Sequence, residues 1–269
     1  YKTTAYQFNN TEHAANLFGL KEFGNIYSRL GNPTVGALEA RLTALEDGAM
    51  CVALSSGTSA VMYSLINIMS QGDNFVTANQ LYGGTYTMFD NILPEYGIDS
   101  KKVDITDLAA VENAIDDKTR AIYCETITNP GLVVADISAL SEIAHSKGIP
   151  LIVDATFTTS AILKPFEYGA DIVVYSLTKW MSGHGRVIAG AVIEKGGFDW
   201  GNGNFPLYDK PDTSYGGMRW GHDLGDLGNV AYSLRLRTVP LRNLGANMGP
   251  ETAFEVLSGL ETLGLRMER

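Results

Sequence analysis

One lysine stands directly after a predicted strand, among small and hydroxyl-bearing residues. Lys179 lies within YSLTKWMSGHG (175–185) and follows the apolar run 171–175. Taken alone, a lysine in such a place is more often a solvated surface charge than a reactive group. Beside a desolvated and partly cationic site, the pKa of a lysine falls and its amine becomes a nucleophile. Lys179 is therefore a candidate nucleophile, and its neighbours in the fold decide between the two interpretations.

A group of small residues follows another predicted strand, 50–54. Ser56, Gly57 and Thr58 open a helix there. Backbone N–H groups are free at a helix N-terminus and lie at the positive end of its dipole, which suits a phosphate. The same residue types are also ordinary helix caps. Ser176 and Thr178, just before Lys179, would add two hydroxyl groups to a phosphate site.

Three further polar or aromatic side chains follow other predicted strands. Tyr82 lies on a glycine-flanked turn, and its ring could lie flat against a planar ligand, although a lone tyrosine more often serves packing. Asn129 follows the strand 120–125. Asp154 comes directly after Leu-Ile-Val, where a carboxylate loses water and needs a cationic or hydrogen-bonding partner.

Together these strand ends match the requirements of one cofactor. In open parallel sheets, ligands bind beyond the carboxyl ends of the strands, so we expect the groups to meet at one edge. A pyridoxal phosphate (PLP) site needs a lysine for the Schiff base, an acid opposite the pyridinium nitrogen, a stacking ring and a phosphate pocket. The alternative is a domain that binds a phosphate ligand other than PLP. The sequence contains no paired metal-ligand spacing, so we predict no metal site. It also contains neither a P-loop nor a G-x-S-x-G motif.

The elements that must position these residues alternate along the chain. We predict strands at 50–54, 74–78, 101–105, 120–125, 150–154, 171–176 and 187–193. We predict helices at 33–45, 57–70, 84–93, 107–115, 136–147, 165–168, 228–243 and 251–268. Several strands are apolar throughout, which is typical of a mostly parallel sheet buried on both faces by helices. Residues 1–32 are predicted to form an extended arm, and 196–225 a long loop.

Composition narrows the class of protein further. The chain has 269 residues, 45% of them hydrophobic, and a formal net charge of −10. This negative charge disfavours binding to the phosphate backbone of nucleic acids. Its two cysteines, Cys51 and Cys124, lie in apolar runs and are predicted to be buried thiols, which favours a reducing compartment. We find no leader pattern and no apolar stretch of membrane-spanning length, and we predict a cytoplasmic protein without a membrane partner.

Six motifs make the sequence resemble a known family. They are EHAANLFGLKEFGNIYSRLGNPT (12–34), SSGTSA (55–60), LYGGTY (81–86), TNP (128–130), VDATF (153–157) and SLTKWMSGHG (176–185). The chain is similar to the Cys/Met-metabolism branch of the fold-type I PLP enzymes, and most similar within it to the O-acetylhomoserine sulfhydrylases. The resemblance implies an α/β fold, the fold-type I large domain, with a mostly parallel seven-stranded sheet.

The resemblance also implies roles for individual residues. Lys179 would bind the cofactor aldehyde and move protons, Asp154 would pair with the ring nitrogen, and Tyr82 would stack on the ring. Residues expected to line the cofactor site are Ser56, Gly57, Thr58, Asn129, Thr156, Ser176 and Thr178. Tyr27 and Arg29 would reach the phosphate of a neighbouring subunit, which implies a homodimer or homotetramer.

The predicted reaction is a γ-replacement. Acetate would leave O-acetyl-L-homoserine and sulfide (or methanethiol) would add, giving homocysteine (or methionine). A methionine γ-lyase, a cystathionine lyase or a synthase of the same family is the alternative. Gly84 counts against a methionine γ-lyase, because the methionine γ-lyases typically carry cysteine there. Two residues depart from the family pattern: Ala155, expected behind the site, and Arg186, which could alter its charge.

Domain boundaries follow from the same resemblance. We predict an arm at 1–32 that contacts a neighbouring subunit, a PLP-binding domain at 33–226, and helices at 227–269 that lead to an absent C-terminal domain. That domain would hold the arginine that binds the substrate carboxylate. A remnant that binds PLP but turns nothing over is therefore an alternative of another class.

Overall fold

Seven strands form a single sheet in a computed structural model that describes residues 1–268. In chain order the strands are β1 (Met50–Leu54), β2 (Asn74–Ala78), β3 (Asp99–Val103), β4 (Thr119–Glu125), β5 (Leu151–Asp154), β6 (Ile172–Tyr175) and β7 (Gly190–Glu194). Across the sheet their order is β1-β7-β6-β5-β4-β2-β3. Only β7 runs antiparallel to its neighbours, β1 and β6. The mostly parallel α/β sheet expected from the sequence is confirmed.

Helices cover both faces of this sheet and extend beyond it. They are α1 (Thr11–Phe18), α2 (Pro33–Glu46), α3 (Gly57–Ile66), α4 (Gly83–Thr87), α5 (Leu108–Ala114), α6 (Ile137–Ser146), α7 (Thr159–Ile162), α8 (Pro206–Asp209), α9 (Ala231–Leu236), α10 (Arg242–Leu244), α11 (Pro250–Leu260) and α12 (Leu263–Met267). Shorter 3₁₀ turns lie at Leu93–Tyr96, Pro165–Tyr168, Thr213–Tyr215 and Gly225–Val230, and π-helical turns at Met88–Ile92 and Arg237–Leu241. Strands β4, β6 and β7 are buried throughout, as expected for a sheet covered on both sides.

Helix α2 shows how local sequence sets the elements. The Asn32 side chain accepts a hydrogen bond from the Thr34 N–H at 2.9 Å and so caps the helix, while Pro33 occupies its first turn. Val35, Leu38 and Leu42 form a buried stripe along the helix. The helix ends at Asp47, whose backbone is left-handed.

Two buried glutamates tie the sheet to the elements around it. Glu46, at the end of α2, accepts a hydrogen bond from the Tyr175 hydroxyl of β6. Glu194, in β7, accepts from the Ser233 N–H at 2.8 Å and from Trp200 Nε1 at 3.3 Å. Burial raises the pKa of each carboxyl to about 7, against the hydrogen bonds that favour ionisation.

Several boundaries differ from the prediction. The arm is not extended throughout, because Asn10 caps α1 within it; Leu17 is the one buried residue of α1, too few to produce a periodic signal. Strand β3 begins two residues before the predicted 101, and β7 begins three after the predicted 187. The predicted helix 84–93 is divided into α4 and a π-helical turn.

Two bulk expectations can also be compared with the structure. Both cysteines are free and buried, as predicted. Within residues 1–268, no helix is both long enough and apolar enough to cross a bilayer. The predicted loop 196–225 does hold mostly turns, but it is anchored by Trp200, Phe205 and Trp220, all fully buried.

Candidate active site

The carboxyl ends of five parallel strands converge on one cavity of about 690 Å³. Ten of the predicted site residues line it: Ser56, Gly57, Thr58, Tyr82, Asn129, Asp154, Thr156, Ser176, Thr178 and Lys179. The volume lies in the range typical of small-molecule sites. The two other predicted residues, Tyr27 and Arg29, lie on the arm, are exposed, and do not line this cavity.

The turn that opens α3 forms one wall of the cavity. The Ser56 side chain accepts a hydrogen bond from the Ser59 N–H at 3.0 Å and caps the helix. A side chain at Gly57 would place its Cβ 2.5 Å from the Cβ of Ser176, and one at Gly190 would meet the Ser56 carbonyl oxygen at 2.1 Å. Glycine at both positions therefore lets the N-terminus of α3 lie directly against the residue that follows β6 and the start of β7, with the positive end of its dipole at the cavity.

Asp154 lies at the end of β5 and brings a carboxylate to the cavity. It accepts hydrogen bonds from the Thr156 N–H at 2.9 Å and the Tyr123 hydroxyl at 3.4 Å. Burial raises the pKa of this carboxyl, and those hydrogen bonds only partly oppose the shift. Within residues 1–268 no lysine, arginine or histidine nitrogen lies within 4.0 Å of it, so the carboxylate is available to a cationic ligand.

Tyr82 and Asn129 are both held by Glu125, a residue that the sequence analysis did not select. The two oxygens of Glu125 accept the Tyr82 N–H at 2.7 Å and the Asn129 N–H at 2.9 Å. Burial is the main cause that raises the pKa of Glu125 to about 7. Its position as the last residue of β4, facing two turns, was the available signal. One buried carboxylate thus fixes two walls of the cavity.

Gly84 leaves room for the Tyr82 ring. A side chain at this position would put its Cβ 2.7 Å from Cε1 of that ring. The ring is about half exposed (49%) and borders the cavity. Any larger residue at position 84 would therefore require the ring to move.

Lys179 follows β6 in a tight turn. Its N–H donates to the Ser176 carbonyl at 3.3 Å, and its own carbonyl accepts the Gly183 N–H at 2.9 Å. In the described part of the chain, no carboxylate lies within 4.0 Å of its Nζ. The side chain is exposed and borders the cavity, so its amine is accessible to a ligand.

The two departures from the family pattern lie outside the cavity lining. Ala155 is fully buried, and its N–H donates to the Val174 carbonyl at 3.0 Å. Arg186 forms an ion pair with Glu255 of α11 at 2.7 Å. The Glu255 carboxylate therefore balances the charge of Arg186. Residues 1–268 contain no cluster of His, Cys, Asp and Glu able to hold a metal ion.

Comparison with known proteins identifies the family. The sequence profile of the Cys/Met metabolism PLP-dependent enzymes matches residues 1–269. The chain belongs to this family.

Individual relatives agree with that assignment. The chain is 46% identical over 274 residues to an O-acetyl-L-homoserine sulfhydrylase of Leptospira meyeri, covering all of this chain and 62% of the relative. It is 46% identical over 275 residues to a homocysteine synthase of Schizosaccharomyces pombe, covering all of this chain and 63% of that protein. This member of the family thus spans about three fifths of the length of these relatives.

A solved structure shows the same fold. An O-acetylhomoserine (thiol)-lyase of Campylobacter jejuni superposes with a TM-score of 0.94 at 40% identity, covering 98% of this chain and 65% of that one. That crystal structure contains N′-pyridoxyl-lysine-5′-monophosphate. A cystathionine γ-lyase of Lactobacillus plantarum is less similar, with a TM-score of 0.77 at 30% identity over 98% of this chain and 58% of that protein.

The cavity has the groups that the cofactor of this family requires. The N-terminal turn of α3 lines the cavity and suits the cofactor's phosphate, and the Tyr82 ring borders the same space. The buried carboxylate of Asp154 has no cation beside it in residues 1–268, which suits a protonated pyridine nitrogen. Lys179 supplies a free amine on the same cavity. These residues therefore fit PLP.

Proposed function

We propose that this chain forms the cofactor-binding part of an enzyme that exchanges the acetyloxy group of O-acetyl-L-homoserine for a sulfur nucleophile. With sulfide the products would be homocysteine and acetate, and with methanethiol they would be methionine and acetate. One observation carries the proposal: Lys179, Asp154, Tyr82 and the turn before α3 share one cavity. The similarity to sulfhydrylases at 46% identity supports the choice of reaction within the family.

Bound PLP would supply an electron sink for charge that develops on the substrate carbons. The chain's own residues would then manage protons and position. The Asp154 carboxylate would keep the proton on the ring nitrogen. The Lys179 amine would hold the cofactor covalently and would carry protons at Cα and Cβ of the substrate. The Cγ–O bond would break as acetate leaves, and sulfur would bond to the same carbon.

The remaining lining residues would orient the cofactor. Ser56, Gly57, Thr58, Ser176 and Thr178 would hold the phosphate through amides and hydroxyls. Asn129 and Thr156 would lie beside the ring. Tyr82 would stack on the ring and assist departure of the leaving group, with Glu125 fixing its backbone.

We further propose that a second copy of the chain completes the phosphate site with Tyr27 and Arg29. A second cavity of about 750 Å³ shares Ser56 and Thr58 with the first and opens more widely to solvent. The guanidinium of Arg29 lies 5.4 Å from the centre of the Tyr27 ring, and Arg29 forms no ion pair within residues 1–268. The two side chains are therefore available to a neighbour. The free thiols support a reducing compartment, and we propose the cytoplasm.

A product assay tests the reaction. Protein loaded with PLP is given O-acetyl-L-homoserine with and without sulfide, and homocysteine, acetate and 2-oxobutyrate are quantified. The expected result is equal amounts of homocysteine and acetate, formed only when sulfide is present. Release of 2-oxobutyrate without sulfide would instead identify an eliminating lyase.

Lys179→Ala provides the matched control for the same assay. Borohydride reduction should fix one pyridoxyl group on the Lys179 peptide of the wild-type chain and none on the variant. A wild-type chain that takes up PLP but releases no product, at any sulfur concentration, would support a binding remnant rather than an enzyme.

A further inference from the structure

An arginine outside the cavity contacts the loop that carries Lys179. Arg266, on α12, donates from Nη1 to the Trp180 carbonyl at 2.6 Å and from Nη2 to the Met181 carbonyl at 3.4 Å. The same guanidinium donates to the Gly259 carbonyl of α11 at 2.9 Å. Its Nε donates to the Thr262 hydroxyl at 3.1 Å. The two residues that follow Lys179 are thus bonded to the last two helices.

Two glycines allow this close contact. A side chain at Gly183 would place its Cβ 2.3 Å from Cζ of Arg266, and the backbone there is left-handed, with φ of +71°. A side chain at Gly259 would meet the Ser182 carbonyl oxygen at 1.9 Å. The loop and α11 therefore pack backbone against backbone, with the guanidinium inserted between them.

The opposite side of the same loop faces the candidate active site. Trp180 and Gly183 line the cavity together with Lys179. The loop is therefore one layer of chain, with the cavity on one side and Arg266 on the other. Displacement of the Arg266 contacts would act on the two peptide groups next to the Lys179 backbone.

The chemistry of the contacts favours positioning over simple packing. No carboxylate lies within 4.0 Å of Arg266 in residues 1–268, so its guanidinium is directed at carbonyl groups. Its planar fork fixes several acceptors at once, which a lysine ammonium cannot do with the same geometry. Hydrogen bonds from a charged donor are also stronger than those between neutral groups.

We propose that Arg266 is a positioning residue for Lys179, and that it couples the helices α11 and α12 to the reactive amine. The proposal rests on the proposed function, in which Lys179 binds PLP. Arg266 touches neither cofactor nor substrate, and it acts through the carbonyls of Trp180 and Met181.

The test compares three variants with the wild-type protein. Arg266→Met removes all donors, and Arg266→Lys keeps the charge but not the fork. Arg41→Met is the matched control, because Arg41 is an exposed arginine of α2 that pairs at 3.3 Å with Glu261, the residue after α11. Hydrogen exchange over residues 177–186 is first measured on protein without cofactor. The rate at which PLP attaches to Lys179, trapped by borohydride reduction, is measured next.

Arg266→Met should speed exchange in this segment about tenfold, because charge-assisted hydrogen bonds to two adjacent peptides are lost. PLP attachment and kcat should fall about 10- to 100-fold with little change in KM, as expected when a reacting group is misplaced. Arg266→Lys should fall between wild type and Arg266→Met, and Arg41→Met should match wild type. If Arg266→Met does not fold, the comparison of Arg266→Lys with wild type tests the proposal. Slower PLP attachment and a lower kcat in Arg266→Lys would support it.

Wild-type rates in both Arg266 variants would overturn the role of Arg266. So would faster exchange with unchanged attachment, because the contact would then be purely structural. A wild-type chain that never attaches PLP at Lys179 would overturn the proposed function instead.

Discussion

At the edge of the sheet where β2 and β6 begin, buried aspartates lie beside basic side chains. Asp73 forms an ion pair with Arg120 at 2.9 Å, and Asp171 lies 2.8 Å from His145 Nε2. At the opposite edge, Glu125 and Asp154 accept only from N–H and hydroxyl groups within residues 1–268. Burial raises the pKa of both carboxyls there.

The contrast separates two uses of the same functional group. A buried carboxylate with a resident cation stabilises the fold, and removing it leaves the cation unpaired. A buried carboxylate without one is costly to the empty protein, and its partner must come from a ligand. The pairing of the acids thus distinguishes the supporting edge from the candidate active edge.

The largest expected effect is on stability, at the supporting edge. Asp73→Asn should lower the free energy of unfolding by about 3–5 kcal/mol, because Arg120 is left buried without a counter-charge. Urea denaturation of cofactor-free protein measures the change. Asp226→Asn, at an exposed position, is the control and should be close to neutral. A change below about 1 kcal/mol at Asp73 would remove the basis of the comparison.

The opposite pattern is expected for Asp154→Asn. Turnover should fall about 10²–10³-fold, as for loss of one preorganised electrostatic contact in a catalytic site. The unfolding free energy of cofactor-free protein should change by less than about 1 kcal/mol, because no cation loses its partner. Kinetics and urea denaturation on the same preparation check both parts. Strong destabilisation without cofactor would place Asp154 in the supporting class.

A smaller effect is expected for Glu125→Gln. The amide offers one acceptor oxygen, so one of the two N–H groups, that of Tyr82 or Asn129, would face an NH₂ donor. Turnover should fall about tenfold, the effect of one unsatisfied hydrogen bond. Faster hydrogen exchange over residues 80–84 or 127–131 should accompany it. Glu112→Gln, which removes only an exposed ion pair with Lys147, should leave both readouts unchanged.

The smallest effect concerns the pH dependence at the supporting edge. The hydrogen bond to Asp171 raises the pKa of His145 above its usual 6.5. The stabilisation from His145 is therefore complete below pH 6.5 and is lost as the pH rises through the folded-state value. His145→Gln should abolish this loss, which solvent exposure keeps below about 1 kcal/mol. Urea midpoints between pH 5.5 and 8.5 would show it, and identical pH profiles would contradict the assignment.

Much of the fold was predictable because burial leaves a periodic record in sequence. Strand β1 is apolar throughout and β2 is mostly apolar, and both were predicted at their observed bounds. The predicted bounds of β3 were two residues too late because the strand is only partly buried. The side chains of Lys101 and Lys102 form ion pairs rather than packing in the core. Helix α1 was missed because it buries only Leu17.

The site was predictable to the extent that it depends on strand ends. Asp154, Tyr82 and Lys179 are far apart in sequence, and the parallel sheet alone brings them to one edge. Glu125 and Arg266 were not predicted because they act on backbone groups of neighbouring loops rather than on the ligand itself. For Glu125 the one available signal was its position at the end of β4. Tyr27 and Arg29 were selected by resemblance alone, and one copy of the chain does not place them at the cavity.

The three buried glutamates, Glu46, Glu125 and Glu194, also affect what the chain exchanges with solvent as it folds. Each has a pKa of about 7 in the folded protein, against an ordinary glutamate value of 4.5. Near neutral pH each holds roughly half a proton when folded and almost none when unfolded. The formal charge of −10 thus describes the unfolded chain better than the native one. Folding near pH 7 therefore takes up protons, and these acids oppose folding progressively more as the pH rises from 4.5 to just above 7.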